Sequence, residues 1–130
     1  MDVIEVSSQR RRQLIDVTSF VQESVAAAEA GEGLCHVCVP HTTAAVTLNE
    51  NADPAVADDL LRALDEMVPK IAWRHAEGNS DAHLLSSVVG AAITIPISGG
   101  ELVLGRWQAI YLLELDGPRK RELWVTCLRS

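Results

Sequence analysis

Residues 92–128 read AITIPISGGELVLGRWQAIYLLELDGPRKRELWVTCL, and this stretch decides the fold. It consists of apolar, β-branched runs cut by turn chemistry: Ala92–Ile97, an SGG turn at Ser98–Gly100, Leu102–Leu104, Ala109–Leu115, a DGP turn at Asp116–Pro118, and Glu122–Leu128. Such runs between Gly, Pro and Asp punctuation are strands joined by tight turns. Toward the N-terminus the pattern recurs at Leu34–Val39 and Ala44–Leu48, around Pro40 and His41, and in the shorter Asp2–Val6 and Gln13–Val17. The count is seven or so strands, enough for two packed sheets.

Helical periodicity interrupts the strands in three places. Phe20, Val21, Val25 and Ala28 are spaced for one helical face, with Thr18 or Ser19 as the cap and Gly31 and Gly33 as the stop. Asp53 is a natural N-cap and Pro54 a natural first-turn residue for a second helix, whose apolar face is Val56, Leu60, Leu61, Leu64 and Met67 and which Pro69 closes. A third helix over Ala82–Val89 would be capped by Ser80 or Asp81 and stopped by Gly90. Its N-terminus would aim free N–H groups into a cleft as an anion site. The expectation is one α+β domain over residues 1–130: about seven strands in a β-sandwich-like core, with two or three inserted helices.

With 130 residues the chain is long enough to bury a core without staples, and 48% apolar content argues against disorder. A formal charge of −7 opposes nonspecific attraction to nucleic acid or an anionic membrane. The start MDVIEVSSQRRRQ lacks the apolar centre of a signal peptide, and no run approaches the roughly 20 apolar residues of a membrane span. A cytoplasmic protein with no nucleic-acid or membrane partner is expected. The three cysteines make a poor disulfide framework. Cys35 and Cys38 form a C-x-x-C, but in a strand residues three apart point to opposite faces, so small buried side chains are the expected role. The basic tip Arg119, Lys120 and Arg121 reads as solvated.

Chemistry concentrates in two polar strings, HTTAAVTLNENADP from His41 and RHAEGNSDAH from Arg74, which hold three of the four histidines. His41, His75 and His83 could ligate zinc or another divalent ion, or each could bond backbone separately. Glu50 beside Asn49 and Asn51 could be a general base, a magnesium ligand or an orienter of a histidine. Asp81 and Ser80 could cap the third helix or serve the site. Thr42, Thr43, Asn49, Asn51, Asn79, Ser80, Ser86 and Ser87 are candidates for binding substrate; no nucleophile elbow surrounds Ser86 and Ser87. Gly105 would allow close ligand approach, Trp107 could stack on a flat ring and Gln108 could read its edge, or Trp107 could pack at a subunit contact. His36, mid-strand, is expected to be structural.

These two strings, together with SSVVG after His83 and IPISGGELVLGRWQAIYLLELDGPR, resemble the YjbQ family over about residues 35–125. Members of that family are often labelled secondary thiamine-phosphate synthases. The resemblance implies an α+β fold with a β-sandwich core, a homotrimer with the polar site near the subunit boundary, and small-molecule phosphate substrates. It also implies a transferase that joins hydroxymethylpyrimidine diphosphate to thiazole phosphate and releases pyrophosphate. In that scheme His41, His75 and His83 hold a divalent ion or the diphosphate, Glu50 and Asp81 orient them, and Gln108 contacts the ring. A metal-dependent phosphate-ester hydrolase and a noncatalytic small-molecule-binding module are the alternatives. Leu85 stands where relatives carry a basic residue and Arg106 where they carry a small polar one, so the second change would offset the first.

Overall fold

A computed structural model describes residues 1–130. In chain order the elements are β1 (Asp2–Ser7), β2 (Gln13–Asp16), α1 (Thr18–Ala27), β3 (Gly33–Cys38), β4 (Ala44–Glu50), α2 (Pro54–Met67), α3 (Ser80–Val89), β5 (Ala92–Ser98), β6 (Glu101–Leu102), β7 (Gln108–Glu114) and β8 (Lys120–Arg129). Five strands form one sheet in the order β1-β8-β3-β5-β6 and three form a second in the order β2-β7-β4, every pairing antiparallel. The α+β class and its two-sheet core are as expected, with eight strands and three helices. No helix is long and apolar enough to cross a membrane.

Side-chain alternation along the strands divides the interior in two. Ala44 and Val46 of β4, Ile110 and Leu112 of β7, Cys35 and Val37 of β3 and Leu123 and Val125 of β8 meet between the sheets in a cluster of 16 buried residues, closed by Val21 and Val25 of α1. The opposite face of the three-stranded sheet carries Ala45 and Leu113, and here Ala82 and Leu85 of α3 complete a cluster of five with Leu115. Leu61 and Leu64 of α2 pack on this smaller cluster. At Gly33 (φ +152°) an added Cβ would lie 1.9 Å from the Leu128 carbonyl oxygen, so β3 and β8 approach closely only because no side chain intervenes.

Several boundaries move for identifiable reasons. Asp53 caps α2 as expected, its carboxylate accepting from the Ala55 N–H at 2.9 Å with Pro54 in the first turn. Yet no residue of α2 is buried, and Met67 is 64% exposed, because α2 lies along one edge of the small cluster. Neither Thr18 nor Ser19 caps α1; Val17 occupies that position, and the Asp16 carboxylate two residues upstream accepts from the Thr18 N–H at 2.9 Å. The helix stops at Ala27, before the glycines, and Phe20 is 45% exposed. β6 is two residues long where three were expected, since Pro96 in the neighbouring strand has no N–H to offer.

The basic tip needs a correction. Because β8 begins at Lys120, Arg121 shares its inward parity with Leu123 and Val125, and only 4% of it is exposed. Its guanidinium donates to both carboxylate oxygens of the fully buried Glu114, and also to the Thr43 carbonyl at 3.0 Å and hydroxyl at 2.9 Å. The Ser8 hydroxyl donates to the same carboxylate at 2.5 Å, as does the Leu115 N–H at 3.0 Å. Every charge in this knot has partners, which is the condition under which burial is tolerated.

Candidate functional site

His83, Ser86, Ser87 and Gly90 fall at i, i+3, i+4 and i+7 along α3 and so share one face of it. With His41, Thr42 and Ala91 they line a cleft of about 510 Å³. The His75 ring sits beside it, its centroid 5.5 Å from that of His83 in an edge-on arrangement. His41 Nε2 accepts from the Glu122 N–H at 2.9 Å, which leaves its proton on Nδ1 while the ring is neutral. Burial, and next the Arg121 charge, lower the His41 pKa from its ordinary 6.5, against a weaker upward pull from Glu122 and Glu114. The neutral form is therefore favoured.

Other residues of the two strings meet partners inside the fold. Thr43 is buried and bonded to Arg121, and the Ser86 hydroxyl donates to the Ala44 carbonyl at 2.7 Å. Ser87 donates to the His83 carbonyl one turn back at 3.0 Å, while Thr42 is exposed at the cleft mouth. Asn79, not Ser80 or Asp81, occupies the cap position of α3; it is buried and donates to the Asp116 carboxylate at 2.9 Å. Asp81 sits in the first turn and accepts from Arg11 at 3.1 and 2.9 Å and from Arg12. Burial would raise its pKa, but the Arg11 bonds, the Ala82 N–H and both arginine charges hold it below the ordinary 3.8. An acid held so firmly as a carboxylate is an anchor for the segment before β2. It also stands where the α3 N-terminus was expected to take an anion, so the cleft instead opens along the helix toward Gly90.

The remaining candidates gather elsewhere. Ala44 and Glu50 lie at opposite ends of β4, separated by six strand steps or roughly 20 Å. Around the Glu50 end, Asn51, Trp107 and Gln108 join Asp16, Thr18 and Arg106 about a second cleft of about 360 Å³. Asp16 accepts from the Asn51 side-chain amide, and the Tyr111 hydroxyl donates to the Glu50 carbonyl at 3.1 Å. Burial first, then the Asp16 and Glu50 charges, raise the Tyr111 pKa. Asn49 accepts from the Glu50 N–H at 2.7 Å. Gly105 admits the Gln108 side chain, not a ligand: an added Cβ would lie 3.1 Å from the Gln108 amide oxygen, which accepts from the Gly105 N–H at 2.7 Å. Trp107 is 57% exposed, with the Arg106 guanidinium 4.9 Å from its ring centre.

Within one chain, then, His41, His75 and His83 lie at one end of the small sheet and Glu50, Asn51, Trp107 and Gln108 at the other. Arg106 cannot offset Leu85: Leu85 fills the small core beneath α3, and Arg106 belongs to the far cleft. No group of three His, Cys, Asp or Glu side chains is placed to hold a metal ion. His75 and His83 offer two imidazoles and His41 Nε2 is engaged, so a three-imidazole centre does not form inside one chain. Arg11, Arg12, Glu114 and Asp116 had no local signature in the sequence; Asp16 had one, its position two residues before a helix-starting threonine.

Comparison with known proteins agrees with this architecture. The chain matches the family model described as UPF0047 protein YjbQ-like over residues 2–130. It is 43% identical to a UPF0047 protein of Methanocaldococcus jannaschii over 93% of this chain and 88% of that one. It is 40% identical to the UPF0047 protein YugU of Bacillus subtilis over 96% of each. An uncharacterised YjbQ/UPF0047 protein of Clostridium acetobutylicum superposes with a TM-score of 0.95 at 41% identity, covering 98% of this chain and 100% of its own. A protein of unknown function from Sulfolobus solfataricus gives 0.94 at 37% identity, covering 99% and 96%. The chain belongs to the YjbQ-like UPF0047 family.

Proposed function

We propose that this chain is a metal-assisted transferase resembling secondary thiamine-phosphate synthase, joining hydroxymethylpyrimidine diphosphate to thiazole phosphate with release of pyrophosphate. The observation that supports it most is the polar face of α3: His83 and Ser87 open onto the same cleft as His41 and Thr42, with the His75 ring against His83. In the reaction the bond from the pyrimidine methylene carbon to the diphosphate oxygen breaks, that oxygen keeps the electron pair, and the thiazole nitrogen bonds to the carbon. His75 and His83 hold the diphosphate, directly or through a divalent ion, and the Thr42 hydroxyl donates a hydrogen bond to it. The new bond makes the ring cationic. The cleft reaches the C-terminal end of α3, which carries no basic residue in its last turn and so presents partial negative charge suited to that cation.

A divalent ion belongs to this proposal, zinc ahead of magnesium for imidazole ligands: held by His75 and His83 and completed from substrate or an adjacent copy, it would supply Lewis-acid charge to the leaving diphosphate. Glu50, Asn51, Trp107 and Gln108 enter the same reading through a homotrimer, in which the far cleft of one copy faces the histidine cleft of the next. Trp107 then stacks on the ring and Gln108 reads its edge.

Three measurements test this. Incubation with both substrates is expected to yield thiamine phosphate and pyrophosphate; phosphate release without the thiazole would point to hydrolysis, and tight binding without turnover to a binding module. Elemental analysis is expected to find about one divalent ion per chain, and unchanged metal content in both His75→Ala and His83→Ala removes the shared ion. Light scattering at micromolar concentration is expected to give three times the 14.1 kDa chain mass. A monomer mass removes the trimer.

A further inference from the structure

Cys35 on β3 and Cys127 on β8 are direct cross-strand partners. Backbone bonding fixes the kind of pair they make. The Ser130 N–H donates to the Glu32 carbonyl at 3.1 Å, so residues 32 and 130 form a hydrogen-bonded position, and alternation along the ladder makes Leu34–Leu128 another. Cys35–Cys127 falls on the intervening, non-hydrogen-bonded kind. On the other side of β3 the Val39 N–H donates to the Ala91 carbonyl at 2.7 Å, which by the same alternation turns the Cys35 backbone toward β5 and agrees. At non-hydrogen-bonded positions the Cα atoms lie about 4.5 Å apart with side chains closer, within the roughly 4.4–6.8 Å that disulfides span.

Both thiols also share a face. Cys35 is fully buried in the main core, and Cys127 packs against that core from a partly exposed position. Burial first, then the neighbouring Cys127 charge, push the Cys35 thiol up to about 12. Cys35 therefore stays protonated and Cys127 is the thiol that solvent reaches. Cys38 stands opposite Trp124 on the outer face of the sheet.

We propose that Cys35 and Cys127 are a redox modification site, where a peroxide converts the thiol pair into a reversible disulfide tying β3 to β8. The Cys127 thiolate attacks one oxygen of hydrogen peroxide, the O–O bond breaks, and hydroxide leaves and takes up a proton, giving a sulfenic acid. The Cys35 sulfur then attacks the Cys127 sulfur; the S–S bond forms, the S–O bond breaks, and the oxygen departs as water with the Cys35 proton. Two electrons pass from the two sulfurs to the peroxide, and two waters are released. The bond closes a loop spanning most of the chain, so it acts mainly by restricting the unfolded state and leaves the folded sheet in place.

Intact mass and non-reducing peptide mapping of the full chain after peroxide treatment test this. The expected result is a loss of about 2 Da, a peptide cross-linking Cys35 to Cys127, reversal by dithiothreitol, and a thermal midpoint several degrees higher in the oxidised form. Cys38→Ala keeps all of these, and Cys127→Ala loses the mass change and the thermal shift. A Cys35–Cys38 link, a link between copies, sulfinic acid on Cys127 or three unmodified thiols overturns the assignment. Mapping of the unsubstituted chain decides the matter however well the variants fold.

Discussion

Arg121→Ala is expected to cost about 3–5 kcal/mol of folding stability, the scale set by breaking one side of a buried ion pair. The loss comes less from the missing attraction than from what remains. Glu114 has no exposed surface, and without Arg121 its carboxylate keeps only the Ser8 hydroxyl and the Leu115 and Asp116 N–H groups, while the Thr43 hydroxyl loses its donor and the Thr43 carbonyl keeps only the Leu115 N–H at 3.2 Å. Guanidinium denaturation of wild type and variant measures it; a difference under about 1 kcal/mol would show that the knot relaxes or fills with water. Glu114→Leu combined with Arg121→Met should recover most of the loss, because an apolar pair of similar volume leaves nothing unpaired.

The same knot gives stability a pH dependence of known sign. Burial alone would raise the Glu114 pKa, but the bonds from Arg121, Ser8 and the Asp116 N–H, with the Arg121 charge, outweigh it and hold the group below its ordinary 4.5. For Asp116 the Asn79 and Arg119 bonds and the charges of Arg119 and Arg11 likewise outweigh burial, and Asp81 behaves the same way. A carboxylate with a depressed folded pKa contributes its stability in full above the unfolded value and loses it as pH falls through the folded one. Stability should therefore decline as pH drops below 4.5, and the gap between wild type and Arg121→Ala should narrow there.

The second large effect is on turnover. His83→Ala and His75→Ala are each expected to slow thiamine phosphate formation roughly 10²-fold or more, and the double variant to lose far less than the product of the two, since rings 5.5 Å apart serve one ligand. Glu50→Gln supplies the contrast. Its position roughly 20 Å along β4 makes its loss multiply with that of His83 if each chain works alone. If copies share the site, the losses overlap, and mixed oligomers of the His83 and Glu50 variants regain activity that neither has by itself. Wild-type turnover in all three single variants, with folding verified, removes the assignment; an inactive wild type shifts the preference to a binding module.

The fold was legible because its signals are local. Pro54 after Asp53, the SGG and DGP turns and the β-branched runs each act within a few residues, and each falls where its physics places it. Helix α1 was harder: its cap comes from Asp16, outside the helix, and the left-handed residue just past its end is Glu29 (φ 51°), not a glycine. The candidate site was legible as composition only. A string of polar residues says that hydrogen-bond partners are needed, not whether they are ligands or neighbours, and Thr43, Asn79, Ser86 and Asp81 found neighbours far away in sequence. Arg121 was misjudged because two adjacent basic residues hid its strand parity.

Strand β7 gives Ile110 and Leu112 to the large core and Leu113 to the small one. With β4, which gives Ala44 and Val46 to the large core and Ala45 to the small one, it makes the three-stranded sheet the wall between two apolar clusters that share no residue. Neither cluster can melt alone, since disordering the five-residue cluster frees the strand whose other face holds together part of the sixteen-residue cluster. The two cores unfold as one cooperative unit, and the calorimetric enthalpy of a folded subunit should equal its van't Hoff enthalpy. A substitution that loosens the packing of Leu113 beneath α3 is felt at Val125, across the sandwich, as a lower midpoint for the whole domain.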